Sequence, residues 1–207
     1  LYKKRDLAII TAVSFYLIPA VTVSSFLIST DVVLILFWSL SLLFLIRIRK
    51  KPNSINFLLL GIFLGLSFLA KYAAIYFLLS LFLCFLLDTK IRKNFFENLF
   101  GFVIFVFAFL LIFLPNIFWN IKNNWLTIIH ISENSALDRM GFNILGGVEF
   151  LLIQLLMLGP LLSFVFFFFI KKIIYNFQTR FLLSFSLPVF FIVFLESVLV
   201  GANANWA

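Results

Sequence analysis

The sequence predicts an all-α fold, a polytopic bundle of transmembrane helices, and three observations support this prediction. Hydrophobic residues make up 64% of the 207 residues. Charged residues make up 12%, which is about half the share found in a soluble domain. Apolar runs of roughly 20 residues recur along the chain, and runs of that length cross a membrane as helices. The alternating pattern of a lipid-facing β-strand does not occur.

The basic residues behind the net charge of +8 lie in short clusters between the apolar runs. These clusters occupy 3–5, 47–51, 90–93 and 171–180. The positive-inside rule explains this spacing and places all four clusters in the cytoplasm, so the charge does not indicate a nucleic-acid partner. The single cysteine, Cys84, allows no intrachain disulfide.

The first apolar run, Leu7–Ser29, contains Pro19 and is expected to be kinked there, because proline removes a backbone hydrogen bond. The second run is Val32–Ile46. Asp31 lies between them. An acid at a membrane boundary costs free energy unless it faces water or a partner, which favours a functional role. The alternative is that Asp31 caps the helix that starts at Val32.

The stretch Asn56–Leu87 is too long for one span and too short for two full ones. A hairpin of two short helices turning at Lys71 keeps both flanking basic clusters on the cytoplasmic side, whereas a single helix separates them. Each arm rises only about 23 Å, less than the roughly 30 Å hydrocarbon core. We therefore expect Lys71 in a recess open to water, where a point cation suits a phosphate. The alternative is that Lys71 snorkels to the headgroups.

The remaining spans are predicted at Leu99–Leu114, Val148–Ile170 and Phe181–Val200. This gives about seven membrane-entering segments in a single transmembrane domain over 1–207, with an extracytoplasmic loop at Pro115–Gly147. The chain starts at Leu1 rather than Met and stops after a polar turn. It is therefore predicted to be a fragment of a longer protein.

The outer loop 115–147 collects polar and amphipathic side chains. Trp119 and Trp125 fit an interfacial aromatic belt, and they also fit a surface that holds sugars or a lipid headgroup. Further along are residues able to transfer protons or bind phosphate. They are His130, Glu133, Asp138 and Arg139. The alternative for this set is a solvated loop with incidental charges.

The motifs of nucleotide and metal enzymes do not occur. The sequence has no glycine-rich phosphate loop with its lysine, no paired-histidine zinc helix, no nucleophile elbow and no kinase signature. We therefore expect no metal site and no ATP or nucleotide-sugar substrate. An enzyme of this kind requires a substrate that arrives already activated.

Four short motifs resemble a known family. They are Thr30-Asp31-Val32, the GLSFLAKY stretch ending at Lys71-Tyr72, Leu114-Pro115-Asn116 followed by Trp119-Asn120, and Asn205-Trp206-Ala207. In order and rough spacing they resemble bacterial membrane glycosyltransferases of the GT-C superfamily that use polyprenyl-phosphate sugars, including protein O-mannosyltransferases and aminoarabinose transferases. In the last motif, Ala207 stands where that family has a proline.

The resemblance implies transfer of a hexose or pentose from a polyprenyl-phosphate carrier to a glycan, lipid or protein on the outer face of the bacterial inner membrane. The donor is a substrate, and no cofactor is expected. The family's catalytic acid is expected upstream of Leu1, and the candidates within the chain are Asp31 and Glu133. The donor phosphate is expected to be bound by Lys71, Arg139 and His130. The sugar or acceptor is expected to contact Tyr72, Asn116, Trp119, Asn120, Trp125, Asn205 and Trp206.

Two other classes of function fit a polytopic membrane protein. One is a transporter or flippase for a lipid-linked or small solute, which is expected to carry polar residues through both leaflets and to show inverted repeats. The other is a non-catalytic scaffold whose outer loop binds a partner. The polar residues crowd towards one side of the predicted bundle, and this favours chemistry at the membrane surface.

Overall fold

The computed structural model describes residues 5–27, 29–134, 141–169 and 176–200, and every regular element within these ranges is helical. The predicted all-α class is therefore confirmed. The helices are α1 (Arg5–Tyr16), α2 (Pro19–Phe26), α3 (Thr30–Lys50), α4 (Ser54–Ala70), α5 (Ile75–Leu87), α6 (Thr89–Glu97), α7 (Leu99–Lys122), α8 (Leu126–Asn134), α9 (Ile144–Leu158), α10 (Pro160–Phe169) and α11 (Phe177–Val200), with a 3-10 turn at Tyr72–Ala74 before α5.

Three helices in these ranges, α3, α7 and α11, are long and apolar enough to cross a membrane. Two bent pairs raise the number to as many as five if each pair is one span. The first pair is α1 with α2, which meet at 63° before Pro19, so the predicted kink is confirmed. The second is the segment 72–87 with α6, bent by 105°. The count of about seven membrane-entering segments stays a prediction.

The helices group into two compact units. The first unit contains α1, α2, α8, α9, α10 and the C-terminal half of α11. The second unit contains α3 to α7, together with residues 180–188 of α11.

The second unit contains the predicted reversal at Lys71. Lys71, after α4, pairs with Asp31 in the first turn of α3, so α4 runs antiparallel to α3. Asp88, after α5, pairs with Arg49 in the last turn of α3. The chain thus returns along α5 to the end of the unit at which α4 began, as the hairpin prediction requires.

Two glycines bring α4 against α7. A Cβ added to Gly61 would lie 2.4 Å from the carbonyl oxygen of Phe105, and one added to Gly65 would lie 2.8 Å from the Cβ of Ile112. Small residues four positions apart in an apolar helix let two helix backbones approach closely. The Gly61–Gly65 spacing is therefore the sequence signal for this contact.

The prediction that a span ends at Leu114 and a loop opens at Pro115 is wrong, since α7 continues to Lys122. Pro115 has no N–H to donate within the helix, but apolar helices tolerate proline where neighbouring groups satisfy the freed carbonyl. The helix ends at Asn123, and a turn with left-handed backbone at Asn124 (φ 52°) and Trp125 (φ 58°) follows. The helix α8 occupies the next part of the predicted loop.

In the first unit, the apolar run predicted as a span at 148–170 is not one continuous helix. The helix α9 ends at Leu158, Gly159 adopts a φ of 87°, and α10 starts at Pro160. Glycine reaches a positive φ without steric cost, and proline cannot donate the hydrogen bond that continues a helix. The Gly-Pro pair therefore divides the apolar run into two helices.

The loop 141–143 is tied to the end of α11 within the first unit. The backbone N–H groups of Gly141 and Asn143 donate to the carbonyls of Leu199 (2.8 Å) and Val198 (2.7 Å). The Ser197 hydroxyl donates to the carbonyl of Gly146 at 2.7 Å. The two backbone bonds satisfy carbonyls that the C-terminus of α11 otherwise leaves without intrahelical partners, and the Ser197 bond joins α11 to the start of α9.

Candidate functional site

Lys71 marks the end of α4 and is the residue at which the chain turns back. Its backbone is extended (φ −159°, ψ 135°), its N–H donates to the carbonyl of Ser67, and its carbonyl accepts from Ala74 at 3.0 Å. The residue after it starts the 3-10 turn Tyr72–Ala74. A single extended residue between two helical segments thus fixes Lys71 at the tip of the hairpin.

The Lys71 ammonium forms an ion pair with the Asp31 carboxylate, with Nζ and Oδ1 2.6 Å apart. The Lys71 side chain is 33% exposed and the Asp31 side chain 49% exposed. Exposed ion pairs contribute only about 0–1 kcal/mol, because solvent screens the charges. An incoming anion can therefore compete with Asp31 for Lys71 at small cost.

Asp31 is held in the first turn of α3, and Ser29 is the residue that caps this helix. The Asp31 N–H donates to Ser29 Oγ at 3.0 Å, and that hydroxyl donates to Asp31 Oδ2 at 3.3 Å. The alternative that Asp31 itself is the cap is wrong. The positive end of the helix dipole instead stabilises the Asp31 carboxylate where it lies.

Ser29 was not among the predicted site residues. Its sequence signal is a serine immediately before an apolar run, which is typical of a helix N-cap. The Asp31–Lys71 pair also has a signal in the sequence. Two consecutive antiparallel helices place the start of α3, with its aspartate, beside the end of α4, with its lysine.

Tyr72, Asn116 and Asn120 form a hydrogen-bonded cluster next to Lys71. The Tyr72 hydroxyl donates to Asn116 Oδ1. Asn120 Nδ2 donates to the Tyr72 hydroxyl at 3.0 Å and to the Asn116 carbonyl at 3.0 Å. Asn116 and Asn120 lie one turn apart on α7 and present their side chains to the same hydroxyl. The cluster therefore anchors the hairpin tip to α7, one residue after the lysine.

Aromatic rings pack beneath the cluster. The Phe113 ring contacts the rings of Phe68 (centroids 5.2 Å apart) and Tyr72 (6.1 Å), both edge to face. Phe68 also packs edge to face on Phe109 at 5.2 Å. Such pairs are favourable beyond their buried area. Ring packing and hydrogen bonding thus act together to hold Tyr72 against α7.

The structure brings five predicted site residues together in the second unit. They are Asp31, Lys71, Tyr72, Asn116 and Asn120. Asn120 is the most enclosed of them, since it is 1% exposed.

Four of the remaining predicted site residues are exposed at positions that the structure describes. Trp119 is exposed on α7 in the second unit, whereas Trp125 is exposed just before α8 in the first unit. His130 and Glu133 are exposed on α8. Arg139, Asn205 and Trp206, together with Asp138, lie outside the described residues.

The geometry around Lys71 suits recognition of an anion. A lysine ammonium beside an exchangeable carboxylate can bind a phosphate, and a fixed tyrosine and amide cluster keeps the lysine's backbone in place. Among the residues that the structure describes, no group of three or more His, Cys, Asp or Glu side chains is arranged to hold a metal ion.

Comparison with known proteins gives two matches. Residues 1–119 match the family described as dolichyl-phosphate-mannose-protein mannosyltransferase. The lipid A galacturonosyltransferase RgtD of Rhizobium johnstonii is similar, with 27% identity over 200 residues, which are 95% of this chain and 41% of that protein. The chain thus spans about two fifths of the length of this curated relative. No solved structure matches.

The matched residues 1–119 are more than half of the 207-residue chain. They include the Asp31–Lys71 pair and Asn116. The resemblance to membrane glycosyltransferases of the GT-C superfamily is confirmed, and the apolar helices agree with a membrane protein. This chain belongs to the dolichyl-phosphate-mannose-protein mannosyltransferase family.

Proposed function

We propose that the chain is the part of an integral membrane glycosyltransferase that binds the phosphate of a polyprenyl-phosphate sugar. The enzyme transfers the sugar to a glycan, lipid or protein acceptor on the extracytoplasmic face of the bacterial inner membrane. The family match supports the lipid-phosphate donor. The relative named as a lipid A galacturonosyltransferase supports a lipid among the three classes of acceptor.

The observation that carries this proposal is the position of Lys71. Its ammonium lies at the tip of a hairpin of short helices, 2.6 Å from an exchangeable carboxylate. In the donor, the phosphate is a diester with one negative charge. Once the sugar leaves, it becomes a monoester with a charge of about −1.5 to −2 at neutral pH.

That change in charge gives Lys71 a catalytic role. A fixed cation attracts the departing phosphate more strongly than the intact donor, and interactions that strengthen towards the transition state accelerate the reaction. A second cation near the phosphate would strengthen this attraction further. In this proposal Arg139, or else His130, is a second ligand of the same phosphate, and arginine can bind it through two hydrogen bonds.

Asp31 is proposed as the counter-ion that Lys71 exchanges for the donor phosphate. It balances the lysine when no donor is bound. Both oxygens of the Asp31 carboxylate already have partners, Oδ1 the Lys71 ammonium and Oδ2 the Ser29 hydroxyl. We therefore assign the base to an acid upstream of Leu1, and Glu133 remains the candidate within this chain.

Tyr72, Asn116 and Asn120 are proposed as positioning residues for Lys71. The Asn120 amide already donates to Tyr72 and to Asn116, and the side chain is enclosed by protein. In this proposal Asn120 does not touch the substrate and acts on it through Tyr72 and Asn116. The Trp119–Trp125 stretch, Asn205 and Trp206 are proposed to contact the sugar or the acceptor, as aromatic faces and amides do in sugar-binding surfaces.

The test is transfer activity of the full-length protein carrying Lys71→Ala, measured with a radiolabelled polyprenyl-phosphate sugar in vesicles. Turnover is expected to fall on the order of 10²–10³-fold, the usual loss when one preorganised charge-stabilising group is removed. Lys122→Ala is the matched control, because Lys122 is an exposed lysine in the last turn of α7. It is expected to keep normal turnover. Near-normal donor affinity and turnover in Lys71→Ala would refute the proposal.

A further inference from the structure

The helix α6 differs from the other helices of the second unit in direction and in composition. It bends by 105° from the preceding segment 72–87. Ile91 and Phe95, one turn apart, are fully buried, whereas Lys90 and Arg92 are exposed. This apolar spacing gives the segment one face to bury. The helix is amphipathic and steeply inclined to α5.

Polar contacts fix α6 to the end of α3. The Asp88 carboxylate accepts from the N–H of Ile91 at 2.7 Å and pairs with Arg49 at 3.1 Å. Asn94 Nδ2 donates to the carbonyls of Ile48 (2.9 Å) and Arg49 (3.2 Å). These bonds cap the start of α6 and satisfy the last carbonyls of α3 at the same time.

The buried face of α6 is anchored by one aromatic ring. Phe95 packs on Phe57 and Phe85, with ring centroids 5.0 Å and 4.9 Å apart, and lies 6.0 Å from Phe105. The helix is thus held from both its polar and its apolar side. Its exposed face keeps a defined orientation relative to α3.

Six exposed basic side chains lie at the C-terminal end of α3 and on α6, which is bonded to that end, and we call this set the basic platform. They are Arg47, Lys50, Lys51, Lys90, Arg92 and Lys93. Of the acids in the same stretches, Asp88 is buried against Arg49, and Glu97 lies 3.4 Å from Lys93. The platform therefore carries a clear excess of positive charge.

Large apolar side chains lie beside these cations. Phe96 in α6 is 68% exposed, and Phe100 at the start of α7 is 71% exposed. Cations next to exposed aromatic rings are typical of a helix that lies at the boundary between lipid headgroups and acyl chains.

We propose that the basic platform binds anionic phospholipid headgroups at the membrane surface, with Phe96 entering the acyl region. Charge complementarity identifies the occupant, since clustered lysine and arginine beside an apolar segment attract anionic lipids. The platform lies at the opposite end of α3 from Asp31. A helix of 21 residues places it about 30 Å from the Lys71 site, at 1.5 Å per residue. This binding is thus separate from recognition of a sugar donor.

The test uses the full-length protein purified in a neutral detergent, with bound lipids counted by native mass spectrometry as phosphatidylglycerol is added. Phosphatidylcholine is the uncharged reference lipid. The variant is Lys90→Gln with Arg92→Gln, which keeps α6 and its buried face. Each cation near an anionic membrane surface adds about fivefold in affinity, so in neutral detergent the variant is expected to bind phosphatidylglycerol more weakly by up to roughly 25-fold. Its phosphatidylcholine binding and melting temperature are expected to stay unchanged.

Lys122→Gln supplies the matched control, as an exposed lysine outside the platform. It is expected to lose no phosphatidylglycerol binding. Glycerol phosphate at millimolar concentration is expected not to compete, because it lacks acyl chains. Three results would each overturn the proposal: undiminished phosphatidylglycerol binding in the double variant, an equal loss in Lys122→Gln, or competition by glycerol phosphate at that concentration. None of these measurements depends on transferase activity.

Discussion

The Lys71 ammonium lies 2.6 Å from the Asp31 carboxylate, although 40 positions separate the two residues in the chain. Each side chain stands at a helix end, Asp31 in the first turn of α3 and Lys71 just after α4. The pair is partly exposed, so its own contribution to stability is small. Its consequence is that any anion bound by Lys71 must displace Asp31 or share the lysine with it.

Asp31→Asn is expected to tighten binding of the product carrier, polyprenyl phosphate, because the anion no longer competes with a carboxylate. The gain is up to about fivefold, which corresponds to the roughly 1 kcal/mol upper value of an exposed ion pair. Equilibrium binding of a fluorescent polyprenyl phosphate to the full-length protein measures it. Asp6→Asn removes an exposed acid in the first turn of α1, outside both the Lys71 site and the basic platform, and is expected to change nothing. Equal or weaker affinity in Asp31→Asn would contradict the exchange of counter-ions.

Tyr72→Phe is expected to lower kcat more than it changes KM. The ring keeps its contact with Phe113, but Asn116 and Asn120 lose the hydroxyl between them. Small displacements of a catalytic group cost up to about 100-fold in rate, so a fall of ten- to 100-fold in kcat is expected. Steady-state kinetics at varied donor concentration separate the two constants.

A purely structural role for Tyr72 predicts a different outcome. In that case, the melting temperature of Tyr72→Phe falls while kcat of the folded protein stays near normal. Asn123→Ala serves as the matched control, because the Asn123 amide donates only locally, to the Trp119 carbonyl on the same helix.

Sequence reasoning predicted the hairpin at Lys71 because two constraints act together there. The basic clusters at 47–51 and 90–93 must lie on the same, cytoplasmic side of the membrane. The mainly apolar stretch between them, the 32 residues of Asn56–Leu87, is too short for two full spans. The same reasoning failed at Pro115, which was taken as a helix end. Inside an apolar helix, proline loses one hydrogen bond, which such helices tolerate. On either side of Pro115, the Phe113 ring packs on Phe68, and Asn116 accepts a hydrogen bond from Tyr72.

Composition also could not reveal which site residues bind each other. Asp31 and Lys71 were predicted separately as a catalytic candidate and a phosphate ligand, and Tyr72 and Asn120 as sugar contacts. Their mutual bonds depend on how α3, α4 and α7 are aligned along their axes. The alignment of α4 with α7 follows from close contact at Gly61 and Gly65, a tertiary effect that hydropathy does not report.

Gly61→Ala is expected to destabilise the protein by about 1–3 kcal/mol, the usual cost of inserting a methyl group into a tight contact. The added Cβ would lie 2.4 Å from the carbonyl oxygen of Phe105 and 2.9 Å from the Cβ of Ala108, so α4 and α7 must separate. Thermal unfolding in detergent measures the effect. Ile55→Ala, at an exposed position on the same helix, is expected to shift the melting temperature little. Equal shifts in melting temperature for Gly61→Ala and Ile55→Ala would contradict a tight contact between α4 and α7.

The orientation of the chain is predicted to place the basic platform in the cytoplasm and the Lys71 end outside, because lysine and arginine concentrate on the inner side. In a background with buried Cys84 replaced by serine, Lys122→Cys and Lys90→Cys each provide one exposed thiol, at opposite ends of the second unit. A membrane-impermeant maleimide added to intact cells is expected to label Lys122→Cys only. Labelling of Lys90→Cys alone would invert the topology and move the proposed transfer reaction to the cytoplasmic face.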